Sequence, residues 1–294
     1  MKVFVTGASG FVGSAIVDEL MSAGHQVIGL ARSDESANYL AEKGVEVLRG
    51  NLEDLNSLKQ GAEKSDAVIH AGFIHDFANF AASVAIDKIA IETIGSVLKG
   101  SHRPLLVTGG MAGVKPGNGS LITEEDAAPS QPRASEATAM ALAEAGVAAS
   151  VVRLPPSVHS EKDKHGFVPT LIRIAREKGL SAYVGDGSNR WPAVHVSDAA
   201  HLYRLAIEKG AGGMRYNVIG DEGVLMSKIA EVIGQCLNLP VASKTPEEAD
   251  AHFGWMSRFI VIDAPSASEK TREFLGWKPV EIGLIEDMVE NYFK

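Results

Sequence analysis

The sequence is short of cysteine, of long apolar runs and of clustered positive charge. Among its 294 residues Cys236 is the single cysteine, which excludes an intrachain disulfide and a thiolate metal cluster. We interpret it as a small packed apolar residue. No apolar run approaches the roughly 20 residues of a membrane-spanning helix. The formal net charge of −9, without a block of Lys or Arg, disfavours nucleic acid and membrane surfaces as partners.

Residues 1–6 lead directly into an apolar strand pattern, so we expect no signal peptide and a cytoplasmic protein. Hydrophobic residues make up 45% of the chain and charged residues 22%, a balance typical of a globular protein with a substantial core. The spacing of His159 and His165 fits neither a zinc helix nor a calcium loop, so we predict no metal. We expect a small-molecule substrate. The predicted helix over residues 79–99 has more than one apolar face, which leaves monomer and homodimer open.

Short apolar strands alternate with helical patterns through the first half of the chain. The strand patterns cover residues 3–6, 26–30, 45–48, 67–69, 105–107 and 150–152. This alternation predicts an α/β fold, a Rossmann doubly wound parallel sheet covered by helices on both faces. Beyond residue 154 turns become frequent, which predicts a smaller, discontinuous C-terminal substrate domain. We assign residues 1–154 plus 193–219 to the Rossmann domain and residues 155–192 plus 220–294 to the substrate domain.

Glycines at intervals of three follow the first strand, in the segment Thr6-Gly7-Ala8-Ser9-Gly10-Phe11-Val12-Gly13. Gly7 permits a turn, Gly10 allows close approach of a ligand, and Gly13 allows the helix to pack. Such a turn holds a pyrophosphate with backbone N–H groups and the positive potential of a helix N-terminus. Glycines also mark ordinary turns, but the flanking strand and helix favour a dinucleotide site. The predicted contacts are Gly7, Ser9, Gly10, Phe11, Val12 and Gly13.

The end of the second strand bears on which dinucleotide binds. Arg32 can form a charge-assisted fork with a 2'-phosphate, and Ser33 can donate another hydrogen bond, so we predict NADP. In the alternative, Arg32 is a solvated surface charge and Asp34 or Glu35 accepts hydrogen bonds from the ribose. That alternative keeps NAD open as the cofactor.

With these motifs in hand, the sequence resembles the extended short-chain dehydrogenase/reductase superfamily, the group that contains NAD-dependent epimerases and dehydratases. The further supporting pieces are His70-Ala71-Gly72, Arg153-Leu154-Pro155, Val194-His195-Val196-Ser197-Asp198 and Leu275-Gly276-Trp277-Lys278-Pro279. The resemblance implies structural roles for His195 and Asp198 at the domain junction. It also implies cofactor contacts from Asn51, Leu52, Ala71, Gly72, Phe73, Thr108 and Pro155.

The chain departs from this superfamily at the catalytic positions. Family enzymes use a Ser or Thr after the fifth strand and a Tyr-x-x-x-Lys pair, in which lysine lowers the tyrosine pKa for proton exchange. Here Gly110 stands where the serine is expected, within Thr108-Gly109-Gly110-Met111. Pro132 and Glu136 stand at the tyrosine and lysine positions, within Pro132-Arg133-Ala134-Ser135-Glu136. The resemblance therefore implies an atypical active site.

Replacements for the missing pair are expected at the carboxyl ends of the strands. Thr108 offers a hydroxyl, His75 beside Asp76 can exchange protons near neutral pH, and Arg133 can act as a permanent electrophile towards an oxyanion. The alternatives are a solvated loop histidine and a helix-start charge. Substrate contacts are predicted from His75, Met111, Arg133, Tyr183 and Trp191. Tyr183 and Trp191 would form an aromatic cleft wall, although Trp191 equally fits simple packing.

Three functional hypotheses follow from the sequence. The first is an NADP(H)-dependent oxidoreductase that reduces a small carbonyl compound or activated alkene with an atypical proton donor. The second, from another class, is an NADP-binding regulatory or sensor protein without turnover. A sugar-nucleotide epimerase or dehydratase is less favoured, because those reactions depend on the missing tyrosine and lysine.

Overall fold

The computed structural model describes residues 1–76, 79–111, 113–117, 121–127 and 133–294. The strands are, in chain order, β1 (Lys2–Thr6), β2 (Gln26–Ala31), β3 (Glu46–Arg49), β4 (Ala67–His70), β5 (Leu105–Gly110), β6 (Ala149–Leu154), β7 (Ser157–His159), β8 (Ser181–Val184), β9 (Arg190–His195), β10 (Arg215–Asn217), β11 (Asp221–Leu225) and β12 (Val241–Lys244). The helices are α1 (Phe11–Ser22), α2 (Asp34–Glu42), α3 (Leu55–Glu63), α4 (Phe80–Leu98), α5 (Ser135–Glu144), α6 (Phe167–Lys178), α7 (Val196–Lys209), α8 (Met226–Leu237), α9 (Pro246–Phe253), α10 (Ser257–Ile260), α11 (Glu269–Leu275) and α12 (Leu284–Asn291).

Seven parallel strands form the central sheet, in the spatial order β10-β6-β5-β4-β1-β2-β3. The chain runs outward from β1 in both directions, which is the doubly wound arrangement and confirms the predicted α/β fold. Successive residues of β1 point to opposite faces. Val3 and Val5 pack with α1 and α7, and Phe4 packs with α3, α4 and α5. Both faces of the sheet are therefore buried at its centre, which explains why the central strands are mostly apolar.

The second domain contributes two small sheets. β11, β9 and β7 form one, and β12 pairs with β8 in the other. Helices α6, α8, α9 and α12 surround a separate core that contains Trp191, Ile229, Phe253 and Leu284. Helix α7 and strand β10 interrupt this domain and return to the central sheet.

The segment around Trp277 differs from the predicted division of the chain, which placed it in the second domain. Trp277 is fully buried in the core of the central sheet, on the side of α1 and α7. Its Nε1 donates to the Asp198 carbonyl at 3.0 Å, and the backbone N–H groups of Val280 and Glu281 donate to the Asp198 carboxylate. Asp198 therefore anchors the C-terminal segment to α7, a contact between residues far apart in the sequence.

Cys236 is exposed on α8, which corrects the sequence-based interpretation of a packed residue. Position 236 shares the helix face of Ile229 and Ile233 but lies in the last turn of α8, after Gly234, the last buried residue of the helix. Within the described ranges no helix has the length and apolarity needed to cross a membrane. The same ranges hold no group of three or more His, Cys, Asp or Glu side chains placed to share a metal ion.

Candidate active site

The turn between β1 and α1 forms a backbone cradle for an anion. Gly7 has a φ of +69°, and a Cβ there would lie 2.8 Å from Gly72 Cα. A Cβ at Gly13 would lie 1.9 Å from the Gly7 carbonyl oxygen, so close packing requires glycine at both positions. Gly10 is the N-cap of α1, and no described side chain caps this helix, which leaves its first N–H groups for a ligand. The other predicted residues of the turn keep exposed or half-exposed surface: Ser9, Phe11 and Val12.

Thr6 ties β1 to β4 beside this turn. Its buried Oγ1 accepts a hydrogen bond from Gly72 N at 3.1 Å and lies 2.9 Å from His70 Nδ1. The side chain of Leu52 lies 3.3 Å from the position that a Gly72 Cβ would take. Asn51 shapes the neighbouring turn, because its Oδ1 accepts backbone hydrogen bonds at 2.8 and 3.0 Å. The structure thus brings Leu52 and Gly72 to the glycine turn and leaves Asn51 exposed beside them.

Two arginines lie at the carboxyl ends of β2 and β3. The sequence analysis predicts Arg32 as a cofactor contact but does not identify Arg49. Arg32 is exposed and makes no hydrogen bond or ion pair with the described residues. Ser33 is the N-cap of α2, and its Oγ accepts from Ser36 N at 3.2 Å. Arg49 donates to the Ser33 carbonyl at 2.6 Å and pairs with Asp34 at 2.9 Å. The parallel register of β2 and β3 is what places this second charge here.

A buried chain of hydrogen bonds runs from β4 to α5 at the same edge of the sheet. His70 Nε2 lies 3.1 Å from Asp87 Oδ1, and Ser135 Oγ donates to Asp87 Oδ2. Arg133 Nε donates to Ser135 Oγ at 2.6 Å. An ionised Asp87 only accepts hydrogen bonds, so His70 Nε2 donates to it and Nδ1 accepts from the Thr6 hydroxyl. Each link then has one donor and one acceptor.

Asp87 is the charged group at the centre of this series of hydrogen bonds. The sequence analysis does not predict it as a site residue. Burial acts to raise its pKa, but hydrogen bonding and charge from His70, then Arg133 and Ser135, bring the pKa of Asp87 below its ordinary value. The carboxylate is therefore ionised near neutral pH. Its signal in the sequence is a lone acidic residue on the buried face of α4, between Ser83 and Ile91. A carboxylate at such a position requires partners.

Arg133 lies at this edge, and one of its nitrogens has no hydrogen-bond partner among the described residues. Its Cζ lies 4.1 Å from the centroid of the Phe73 ring. Its Nη2 is buried, lies 3.7 Å from Asp87 Oδ1, and makes no hydrogen bond within the described part of the chain. Because an unsatisfied buried N–H is costly, a ligand oxygen is a suitable partner. Pro132, at the expected tyrosine position, lies outside the described residues.

His75 also contacts the Phe73 ring, with ring centroids 5.2 Å apart in an edge-on arrangement. Its side chain keeps exposed surface, and partial desolvation and then the charge of Arg133 lower the pKa of His75. The imidazole is therefore neutral near pH 7. The structure thus gathers two of the three predicted catalytic side chains around Phe73.

The third predicted catalytic residue, Thr108, lies in the packing between β5 and α7. Its Oγ1 is 2.7 Å from the hydroxyl of Tyr203, and both side chains are buried. Burial raises the pKa of Tyr203 well above its ordinary value. The Thr108 hydroxyl is thus engaged by the core, and its assignment as a catalytic or cofactor-binding group stays a prediction.

The residues predicted to contact substrate fall into different places. Met111 packs with Val114 and Ile122, and Trp191 packs in the second core. Both side chains are fully buried, so in this structure they are core residues and line no open cleft. Tyr183 lies half-buried on β8 against the second core. Pro155, a predicted cofactor contact, is buried directly after β6, and Ala71 and Phe73 follow β4 half-buried.

Glu136, at the position of the family's lysine, is held in a buried ion cluster. Its carboxylate accepts hydrogen bonds from Arg153 at 2.5 and 2.7 Å and from Arg215 at 2.9 Å. Arg153 is fully buried and also donates to the carbonyls of Thr123 and Asp126. Glu136 and Arg153 therefore fasten the segment that follows β5, and Glu136 is engaged in structure rather than in proton transfer.

Known proteins resemble this chain in sequence and in fold. The profile of the NAD dependent epimerase/dehydratase family matches residues 3–97 and 130–219. An uncharacterized protein of Saccharomyces cerevisiae is 47% identical over 99% of both chains. A 4-hydroxy-2-methyl-3-oxo-4-farnesyl-3,4-dihydroquinoline-1-oxide ketoreductase of Stigmatella aurantiaca is 27% identical over 74% of this chain and 67% of its own. The solved dTDP-glucose 4,6-dehydratase DesIV of Streptomyces venezuelae is 18% identical with a TM-score of 0.79, covering 99% of this chain and 96% of that one, and shares the fold.

Proposed function

This chain belongs to the NAD dependent epimerase/dehydratase family, and on that premise we propose that it is an NADP(H)-dependent oxidoreductase that reduces a small carbonyl compound or activated alkene. The observation that carries the proposal is the buried Nη2 of Arg133, which has no hydrogen-bond partner among the described residues. Arg133 directly follows position 132 in the sequence, where the resemblance predicts the family's tyrosine, and its Nη2 is suited to an oxygen that becomes negative. The similarity to a ketoreductase supports reduction of a carbonyl group.

The residues of the glycine turn fit a phosphorylated dinucleotide. The uncapped N-terminus of α1 would hold the pyrophosphate, and Gly7 leaves no room for a side chain beside Gly72. Arg32, together with Arg49, would bind the 2'-phosphate. Because Asp34 is already paired with Arg49, it is poorly placed to take the ribose hydroxyls that NAD would present. When bound, the nicotinamide would supply a hydride to the substrate carbon.

Arg133 provides the charge stabilisation that reduction needs. When hydride adds to a carbonyl carbon, the carbon–oxygen π electrons move to the oxygen, which becomes an alkoxide. In a conjugated alkene the same charge develops on an enolate oxygen. The guanidinium, oriented by Ser135 and Asp87, would donate a hydrogen bond to this oxygen without losing its own proton.

The remaining step is delivery of one proton to the substrate, and we assign it to His75. A neutral imidazole would donate the proton on one nitrogen to the alkoxide or enolate while its other nitrogen takes a proton from water, and the resulting hydroxide would leave to solvent, so the imidazole itself keeps no lasting charge. Its lowered pKa and its position beside Phe73 suit that role. Tyr203 is unsuited to it, because its hydroxyl is fully buried against Thr108.

The function is tested by incubating the purified protein with NADPH and a panel of aldehydes, ketones and conjugated enones. We expect consumption of NADPH with at least one class and one reduced product for each NADPH oxidised. Saturable NADPH binding without consumption by any member would instead support the regulatory hypothesis. Conversion of a sugar nucleotide without net consumption of cofactor would support the epimerase or dehydratase hypothesis.

Replacing Arg32 with alanine is expected to weaken NADPH binding by about tenfold to a hundredfold and to leave NADH binding unchanged. The reason is the loss of a charge-assisted contact to the 2'-phosphate, worth about 1.5–3 kcal/mol. Titration of both cofactors into both proteins measures the effect. Arg173→Ala, which removes an exposed arginine from α6, is the matched control for net charge. An unchanged preference between the two cofactors would rule out this role of Arg32.

A further inference from the structure

His70 is a buried histidine that contacts side chains on two sides, one next to the glycine turn and one next to Arg133. It is the last residue of β4, and the parallel pairing of β1 with β4 sets it beside Thr6. Its Nδ1 lies 2.9 Å from Thr6 Oγ1, and its Nε2 lies 3.1 Å from Asp87 Oδ1. None of these three side chains is more than 1% exposed. No step of the proposed reduction uses this histidine.

The partners of Thr6 determine which ring nitrogen of His70 carries the proton. The Thr6 oxygen accepts a hydrogen bond from Gly72 N at 3.1 Å, so its own hydroxyl hydrogen can be donated to His70 Nδ1. An ionised Asp87 can only accept, so the ring proton of His70 is on Nε2. His70 therefore presents a fixed N–H donor to Asp87, and through Thr6 it is tied to the backbone that contacts Gly7.

The carboxylate of Asp87 is held at both of its oxygens. His70 Nε2 donates to Oδ1, and Ser135 Oγ donates to Oδ2. The side chains of His70 and Ser135 have no exposed surface, so bulk water does not compete for these hydrogen bonds. The two donors thus fix the position of the carboxylate and its rotation.

The fixed carboxylate lies at an intermediate distance from Arg133. Arg133 Nη2 is 3.7 Å from Asp87 Oδ1, the same oxygen to which His70 donates. Opposite charges attract at this separation, but an N–H···O hydrogen bond requires about 3.2 Å or less between the heavy atoms. Arg133 Nε is held separately by Ser135 Oγ at 2.6 Å. The guanidinium is thus kept in place while its Nη2 makes no hydrogen bond with the described residues.

We infer that His70 is a positioning residue of the proposed reduction, an inference that rests on that function. By holding Asp87 Oδ1, it keeps the carboxylate from closing on Arg133 and leaves Nη2 to the substrate oxygen. Without the His70 donor, Oδ1 would be a buried carboxylate oxygen without a hydrogen bond, and a guanidinium nitrogen already lies 3.7 Å away. The direct ion pair that then forms would satisfy both groups and withdraw Nη2 from the substrate.

The test uses benzoate, whose carboxylate carries the negative charge that an alkoxide would develop. It is titrated into the protein with saturating NADP⁺ and into variants at positions 70 and 133. We expect Arg133→Ala and His70→Leu each to weaken benzoate binding by about tenfold or more. His70→Gln should stay within about threefold of the wild-type affinity, because its amide N–H can donate to Asp87 Oδ1. His102→Leu, the same change at an exposed histidine, is the control and should have no effect.

A double-mutant cycle distinguishes positioning from a general structural role. If His70 acts through Arg133, adding His70→Leu to Arg133→Ala should weaken benzoate binding by no more than about a further twofold. Unchanged benzoate affinity in His70→Leu, or full additivity of the two losses, would overturn the inference. It would also be overturned if His70→Leu and His70→Gln lost benzoate and NADPH affinity equally, because that result would identify a structural residue.

Kinetics separates this inference from the proposed function. With a carbonyl compound that is reduced, His70→Leu should lower kcat by about tenfold to a hundredfold and leave KM for NADPH within about twofold. His70→Gln should recover most of the lost kcat. Reduction with an unchanged kcat in His70→Leu would overturn the role of His70 and leave the function intact. If no carbonyl compound is reduced but the benzoate cycle gives the expected result, the function fails and the positioning of Arg133 by His70 stands.

Discussion

Replacing Arg133 with alanine is expected to lower kcat for carbonyl reduction by about 10²- to 10³-fold, as loss of an oxyanion-stabilising donor does elsewhere. The guanidinium is held in advance by Ser135 and by the charge of Asp87, so it needs no reorganisation when negative charge develops. Its contribution is larger at the transition state than in the ground state, because a carbonyl oxygen carries less charge than an alkoxide. The loss should therefore appear in kcat, with a smaller change in KM.

Steady-state kinetics of Arg133→Ala, with NADPH affinity measured by titration, checks this expectation. The fold should survive, because Asp87 keeps hydrogen bonds from His70 and Ser135. NADPH affinity is the control and should stay within about twofold, since Arg133 is not among the predicted cofactor contacts. Arg133→Lys should recover only part of the rate, because an ammonium cannot reproduce the planar fork or its stacking on Phe73. A kcat for the alanine variant close to the wild-type value would remove Arg133 from the mechanism.

Replacing Glu136 with glutamine is expected to lower the free energy of unfolding by about 3–5 kcal/mol. The substitution keeps the shape of the side chain but removes the negative charge that pairs with Arg153 and Arg215. Arg153 has no exposed surface, so its charge would remain buried while losing the one carboxylate of the described residues that lies within ion-pair distance of it. The cost is that of a buried unpaired charge rather than of a weakened contact.

Urea unfolding of the wild-type and Glu136→Gln proteins measures this difference. The matched control is Glu177→Gln, the same chemical change in the exposed Arg173–Glu177 pair of α6, which should cost less than about 1 kcal/mol. If the two variants are destabilised equally, the cluster around Glu136 contributes no more than a surface ion pair.

The same cluster disfavours a lysine at position 136, the position that the resemblance assigns to the family's lysine. Lysine at position 136 would place a third positive charge beside Arg153 and Arg215, with no described carboxylate left to pair with them there. A substitution of Glu136 by lysine is thus incompatible with this packing.

Several features of the site are local and were therefore predictable from the sequence. The glycine spacing of the β1–α1 turn depends on backbone geometry within a few residues, and the structure shows Gly7 at positive φ and Gly13 in close contact. His75 and Arg133 were predicted because each follows or starts an element at the carboxyl edge of a parallel sheet. The hydrogen-bond and packing partners of these side chains cannot be predicted from local sequence patterns.

The sequence by itself determined the βα alternation, the glycine turn and the edge of the sheet at which chemistry is placed, because these follow from short-range periodicity and backbone freedom. Only the tertiary structure decided which polar groups meet. Asp87 and Ser135 are 48 residues apart, yet share a buried hydrogen bond. Likewise Trp191, an open-cleft candidate in sequence, lies fully buried in the core of the second domain, because its direction is set by its register with β11 and by helix packing. Burial and side-chain direction depend on the whole fold, and the proposed role of Arg133 rests on them.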